Sequence, residues 1–324
     1  MFEHIFSIDN EKTFNNVCLE VFDIQKNDCA VYAKYLSALD QKHSHPKHYT
    51  EIPFLPIQFF KSQDVVSSSQ NAQITFTSSG TTGMLNSKHI VTDLAYYEKS
   101  FRKCFYEFYG DATDIAILAL LPNYLEREGS SLIYMIDDLI KQSNHIESGY
   151  FLYNHEDLYQ RLINLKSKGT RTLLIGVTYA LLDFCENYTV DFPELIVMET
   201  GGMKGKRKEL IREELHTILC DAFSVTTIHS EYGMTELLSQ AYSYGKGLFK
   251  TPNWMKALCR DTNDPLSLVP FGRTGALNII DLANFNSCSF IATDDLAKNY
   301  ENGTFEVIGR FDQSEIRGCN LLVQ

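Results

Sequence analysis

The chain has 324 residues, 44% of them hydrophobic and 22% charged, with 41 acidic against 29 basic side chains and a net charge of −12. That length buries a large core in one large domain or two to three subdomains, and the acidic balance argues against a dedicated nucleic-acid binder, which carries a basic stripe. No apolar run approaches the roughly 18 residues of a membrane span, Met1–Ile5 lacks the features of a signal peptide, and the eight cysteines form no CxxC pair, so the expectation is a cytoplasmic protein with reduced thiols and no zinc ribbon.

Residues 1 to about 50 read as helical, with Phe14, Val17, Cys18, Val21 and Phe22 at helical spacing within 10–24 and a second helical stretch over 28–39. His43, His45 and His48 surround Pro46. They read either as a solvated loop or as a metal site, and no carboxylate or cysteine is spaced to complete the latter. The segment from Ile52 to Ile57 is extended, its two prolines excluding a central strand. From residue 71 strands and helices alternate. Strands are expected at 74–76, 115–121, 172–176, 195–198 and 225–228, and helices at 93–109, 130–142, 158–168, 179–186 and 206–220. Such alternation predicts an α/β fold with mainly parallel strands. Beyond about residue 240 the pieces shorten, with strands at 276–281, 289–292 and 304–308. The expected division is an α/β core over 1–240 and a small β-rich subdomain over 241–324.

Five segments carry possible chemistry. A strand over Ile74–Phe76 runs into Thr77, Ser78, Ser79, Gly80, Thr81, Thr82 and Gly83, with Lys88 five residues on. Glycines let a backbone turn sharply and approach a ligand, and N–H and hydroxyl groups then surround anionic oxygens. An ordinary polar loop is the alternative. Glu199-Thr200-Gly201-Gly202-Met203 follows a strand, and its paired glycines permit either close approach to a flat ligand or a plain tight turn. Tyr232-Gly233-Met234-Thr235-Glu236 combines a ring that can stack, a hydroxyl that can meet a phosphate and a carboxylate that can hold Mg²⁺. Thr293-Asp294-Asp295 offers a carboxylate for ribose hydroxyls or forms a surface turn. Gly309-Arg310-Phe311-Asp312 offers Arg310 to a ribose or phosphate oxygen.

In that order, over about residues 50 to 324, these segments resemble the adenylate-forming (ANL) superfamily of acyl- and aryl-CoA ligases, adenylation domains and luciferases. The resemblance implies an ANL-type large α/β domain with mainly parallel sheets flanked by helices, plus the small β-rich subdomain. It implies ATP and Mg²⁺ as cofactors. Ser78 to Gly83 correspond to the phosphate loop, with Lys88 beside it, and Gly201, Gly202 and Tyr232 to the adenine contacts. Thr235 and Glu236 sit in the aromatic-Gly-x-Thr-Glu motif, Glu236 being the metal ligand, and Asp295 and Arg310 belong to the ribose and hinge motifs. Two departures stand out. The superfamily reads Gly-x-Pro-Lys where Met84 to Ser87 separate Gly83 from Lys88, and the sequence stops twelve residues after Asp312, where the superfamily continues as a mobile lid carrying a catalytic lysine. No residue here corresponds to that lysine, so a lidless member is expected.

Local runs narrow the resemblance to LuxE-like acyl-protein synthetases: Ile52-Pro53-Phe54-Leu55-Pro56-Ile57, Leu121 to Arg127, Ser130 to Met135, Gly201 to Arg207, and Ile316 to Leu321. That family activates a fatty acid as acyl-AMP and receives the acyl group on a cysteine near the C-terminus. Cys319, beside Arg317, fits that role, or is a small apolar residue in a terminal strand. The partners implied are a carboxylic (fatty) acid and an acyl reductase, a carrier protein or CoA as acceptor. The alternatives are a lidless aryl- or acyl-acid ligase feeding a carrier or CoA, and a nucleotide-binding subunit that needs a partner.

Overall fold

A computed structural model describes residues 3–39, 45–67, 69–78, 86–121, 129–201 and 210–310. The chain begins with helices α1 (Glu11–Asp28) and α2 (Ala30–Ser37), then β1 (Leu55–Pro56), α3 (Phe59–Ser62), β2 (Ile74–Thr77) and β3 (Lys88–Val91). An alternating stretch follows: α4 (Leu94–Tyr109), β4 (Ala116–Leu120), α5 (Ser131–Ser143), β5 (Gly149–Phe151), α6 (His155–Ser167), β6 (Thr172–Val177), α7 (Thr178–Cys185), β7 (Ile196–Thr200) and α8 (Arg212–Phe223). The remainder is extended, with β8 (His229–Tyr232), β9 (Ala241–Ser243), β10 (Phe249–Lys250), β11 (Met255–Arg260), β12 (Thr274–Asp281), β13 (Phe290–Asn299) and β14 (Thr304–Arg310). Two compact units result, one over 74–79 and 93–252, the other over 1–73, 80–92 and 253–324.

The first unit is built on a sheet in which β5, β4, β6, β7 and β8 run parallel in that order, followed by β9 and β10 antiparallel. Every residue of β4 and β6 is buried, as expected where helices cover both faces of a parallel sheet. Helices α4 and α5 start where the sequence supplies caps. The Asp93 carboxylate accepts from the Tyr96 N–H, and the Ser130 hydroxyl from the Ile133 N–H. Two expected elements shift most, and β5, β9 and β10 are additional to those expected. The strand expected at 225–228 lies at 229–232, because Ser224 closes α8 in the left-handed conformation (φ 54°) and the Val225 N–H bonds back to the Cys220 carbonyl. The helix expected over 206–220 starts at Arg212, since Ile211 is extended (φ −68°, ψ 151°); residues 206–209 lie outside the described residues.

In the second unit β11, β12, β13 and β14 form an antiparallel sheet, and β1 pairs parallel with the first part of β13. The Pro56 ring has no N–H to give, and the Ile57 N–H bonds the Ala292 carbonyl instead. Helix α1 packs here through Phe14, Val17, Val21 and Phe22. Aromatic rings tie it in: Phe22 meets Tyr32 at 6.2 Å, and Tyr32 stacks on Phe290 at 6.1 Å. Buried Gln25 donates to the Asn284 and Phe285 carbonyls and accepts from the Ser289 N–H. Strand β13 is longer than the expected 289–292 and runs through Thr293, Asp294 and Asp295. Thr293 is wholly buried, its hydroxyl donating to the Leu277 carbonyl on β12, so this segment is sheet and no surface turn.

Candidate active site

In the parallel-sheet unit, the chain direction brings three expected segments to strand carboxyl ends. Gly201 follows β7 and Tyr232 ends β8, and these strands are neighbours, with Thr200 opposite Glu231. Gly201 has φ +66°, a backbone region that disfavours side chains. The Tyr232 ring lies 5.8 Å from that of Phe249. Thr235 and Glu236 form the turn after β8, Thr235 half-buried and Glu236 buried, with the Leu237 N–H closing on the Met234 carbonyl. Ser78 follows β2, and the Thr77 N–H at that strand's end bonds the Gly129 carbonyl. Gly129 has φ +84°, and a Cβ there would sit 3.1 Å from the Thr77 hydroxyl. Sequence reading passed over Gly129, which stands one residue before the α5 cap. Ser79, Gly80, Thr81, Thr82, Gly83, Gly202 and Cys319 lie outside the described residues, as does Arg317.

A buried polar network underlies these strand ends. Glu199 accepts from the Ser230 hydroxyl at 2.8 Å and from the Thr178 hydroxyl at 3.1 Å. Thr178, the first residue of α7, also reaches the Gly201 carbonyl at 3.1 Å, tying the glycine turn to the helix start. His216 Nε2 stands 3.5 Å from Glu199 Oε1. Burial alone would raise the Glu199 carboxyl, but His216, Ser230 and the Arg212 charge more than offset it and hold the group below its ordinary range. Nothing in the residue types at 178, 216 and 230 announces this; the β7–β8 register sets Ser230 opposite Glu199, while Thr178 and His216 arrive from α7 and α8.

The second unit places Asp295 and Arg310 directly opposite one another on β13 and β14. Between the pairs Ala276–Leu296 and Asn278–Ala292 the register slips, so that Thr293, Asp294 and Asp295 all stand against Leu277. Bulges of this kind bend a strand and re-aim its side chains. Arg260 on β11, 7% exposed, staples this one: it donates to the Leu277 and Thr293 carbonyls, each at 2.7 Å, and to Asn278 Oδ1 at 2.8 Å. Thr293 Oγ1 in turn accepts from the Asp295 N–H at 3.2 Å. Arg260 is a second residue that sequence reading missed, because β11 was not anticipated. Lys88 opens β3 with its side chain exposed, while His89 beside it is buried and 2.9 Å from Asn284 Oδ1.

Among the described residues no group of three or more His, Cys, Asp or Glu side chains forms a cation cage. Mg²⁺ ordinarily takes one or two protein carboxylates and completes its shell with water and phosphate oxygens. The Glu236 carboxylate with the adjoining Thr235 hydroxyl fits that donor requirement. His48, from the histidine-rich loop, is engaged locally at 2.8 Å from the Thr50 hydroxyl.

No protein-family model matches the sequence, and no curated protein matches it either. Solved structures do match in fold. The ATP-bound RpMatB-BxBclM chimera B3 superposes with a TM-score of 0.57 at 14% identity, covering 75% of this chain and 49% of the other. ATP-bound MatB from Rhodopseudomonas palustris gives 0.55 at 14%, covering 76% and 49%. A 2-hydroxyisobutyryl-CoA ligase holding 2-HIB-AMP and CoA in the thioesterification state gives 0.64 at 11%, covering 96% and 70%. The chain thus spans about half the length of the MatB structures. At these identities the likeness is one of fold, and it agrees with the mixed α/β architecture, parallel strands flanked by helices plus an antiparallel sheet, expected from the sequence.

Proposed function

We propose that this chain activates a carboxylic acid with ATP. A carboxylate oxygen attacks the α-phosphorus, the bond from that phosphorus to the bridging oxygen breaks, pyrophosphate leaves and acyl-AMP remains. The acid is already ionised, so the step needs no protein base; it needs two anions held in line and their charge neutralised. In this reading Ser78 and the hydroxyl and N–H groups of Ser79 to Gly83, with Lys88, take the phosphates. Tyr232, Gly201 and Gly202 take the adenine, and Thr235 meets a phosphate oxygen. Asp295 accepts the ribose hydroxyls and Arg310 bonds a ribose or phosphate oxygen. Glu236 would hold Mg²⁺, which when bound neutralises phosphate charge. The observation that carries the reading is that Gly201 follows β7 and Tyr232 ends β8, two adjacent parallel strands, at the edge where open α/β sheets take ligands. The likeness to a CoA ligase holding 2-HIB-AMP supports it.

The finer reading is a fatty acid passed to a thiol, with Cys319 as the acceptor. Burial pushes up the thiols of Cys18, Cys29, Cys185, Cys220, Cys259 and Cys288, Cys185 to about 12 and Cys259 to about 11. A nucleophilic thiol needs the opposite shift, so these six are poor acceptors; Cys104 is wholly buried with its thiol donating to the Gln240 carbonyl, which leaves Cys319 as the candidate. CoA or a carrier-protein thiol is the second reading, favoured by the CoA in the ligase structure of similar fold. The test is acid-dependent ATP–pyrophosphate exchange screened across fatty and aryl acids, with intact-mass analysis of the chain. Exchange with a fatty acid and an acyl adduct lost in Cys319→Ser support the finer reading. An adduct that survives in that variant moves the acceptor elsewhere, and no exchange with any acid overturns the activity.

A further inference from the structure

Glu231 has no part in the chemistry above, yet it is tightly confined at the strand ends. It precedes Tyr232 on β8, 9% exposed, and the Thr200 hydroxyl donates to its Oε2 at 2.5 Å. Its other oxygen takes the room beside Gly233: a Cβ at that glycine would lie 2.5 Å from Glu231 Oε1 and 3.6 Å from Gln240 Cγ. Gly233 is not among the glycines with positive φ. An alanine there would therefore suit the backbone but force its nearest neighbour to move, and that neighbour is the Glu231 carboxyl held by Thr200.

We propose that Glu231 is a positioning residue for the Tyr232–Glu236 segment: held by Thr200, its carboxyl group lies against Gly233 and fixes the path of the turn that presents Tyr232, Thr235 and Glu236. The steric lock stands independently of the proposed function; only the identity of what those three side chains bind rests on it. The surroundings favour an uncharged carboxyl. Burial raises the group to about 7, the Thr200 hydrogen bond opposes this and the Glu199 charge adds to it. Tyr109 of α4 and Tyr242 of β9 also interact electrostatically with Glu231, and burial keeps both phenols raised. A neutral carboxyl is cheap to bury and can stay in contact with backbone.

The experiment is a double-mutant cycle on the full chain, read by denaturant unfolding. Gly233→Ala alone should raise the unfolding equilibrium constant about tenfold or more, and in a Glu231→Ala background the same substitution should cost about tenfold less. If Gly233→Ala alone does not fold, recovery of folded chain in the double variant is the equivalent result. Additive costs, or no recovery, overturn the proposal. A second readout is the KM for ATP in pyrophosphate exchange, which should rise several-fold in Glu231→Ala and return toward wild type in Glu231→Gln, whose side chain keeps the shape; a KM unmoved by Glu231→Ala also overturns it. Wild-type chain without exchange would end the functional reading, while the unfolding cycle still decides this one.

Discussion

Strands β4 and β8 belong to one parallel sheet and are made of opposite materials. β4 reads Ala-Ile-Leu-Ala-Leu, each residue 0% exposed, and its burial is a straightforward gain from apolar surface leaving water. β8 reads His-Ser-Glu-Tyr, and its two central residues are as enclosed as a core strand yet polar. Burying such groups costs free energy unless each finds a partner, and here each does, Ser230 with Glu199 and Glu231 with Thr200. A sheet that needed only stability could have used valine at these positions. The comparison separates a strand that holds the fold from one that shapes its ligand-facing end.

Substitutions at the two strands should therefore fail in different assays. The largest effect is expected at Glu236, just beyond β8: Glu236→Ala should lower acid-dependent exchange by the folded chain about 100-fold or more. Normal exchange in that variant would remove the metal assignment. On β4 the pattern inverts. Leu118→Ala should cost about 2–5 kcal/mol of stability and leave exchange by the surviving folded chain close to wild type; a specific loss of exchange would erase the contrast between the strands. The effects smallest per pH unit are the slopes of the two buried carboxyls. Glu231 is raised from 4.5 to about 7, so the native state holds more protons there than the unfolded chain and its contribution to stability is present below 4.5 and lost as pH rises toward 7. Glu231→Gln should flatten the stability profile over that window, by an amount on the order of 3 kcal/mol. Glu199 is lowered, so its contribution is present above the ordinary carboxylate range and lost as pH falls below it. Glu199→Gln should weaken the protein near neutral pH by about 1–3 kcal/mol and blunt its acid unfolding. Equal slopes in the two variants, followed by equilibrium unfolding at several pH values, would show that the two carboxyls share one environment.

The same contrast explains what could be read from the sequence. β4, β6 and helices α4, α5 and α7 were legible because apolar runs, helical periodicity and the Asp93 and Ser130 caps all point one way. β8 was misplaced by four residues: Val225-Thr226-Thr227-Ile228 has the β-branched composition of a strand, whereas the strand that forms is polar. Asp295 was singled out as a loop carboxylate, but its place opposite Arg310 depends on a three-residue bulge and on buried Arg260 reaching across from β11. Register and long-range staples of this kind leave no periodic trace. Glu199 and Thr200 were noticed for the glycines after them, and Glu231 not at all, since a glutamate in a strand pattern reads as exposed until its neighbours are known.

Gln25 on α1 makes its hydrogen bonds with Asn284, Phe285 and Ser289, partners some 260 positions away along the chain. During synthesis the residues that complete the unit over 74–79 and 93–252 leave the ribosome well before those partners do. Contacts so distant in sequence are slow to close, and domains complete in sequence fold as they emerge. The parallel-sheet unit is thus the first able to become protease-resistant on a stalled ribosome. The partners of Gln25 are complete only once residue 289 has emerged, so that side of α1 is among the last surfaces of the chain to be buried.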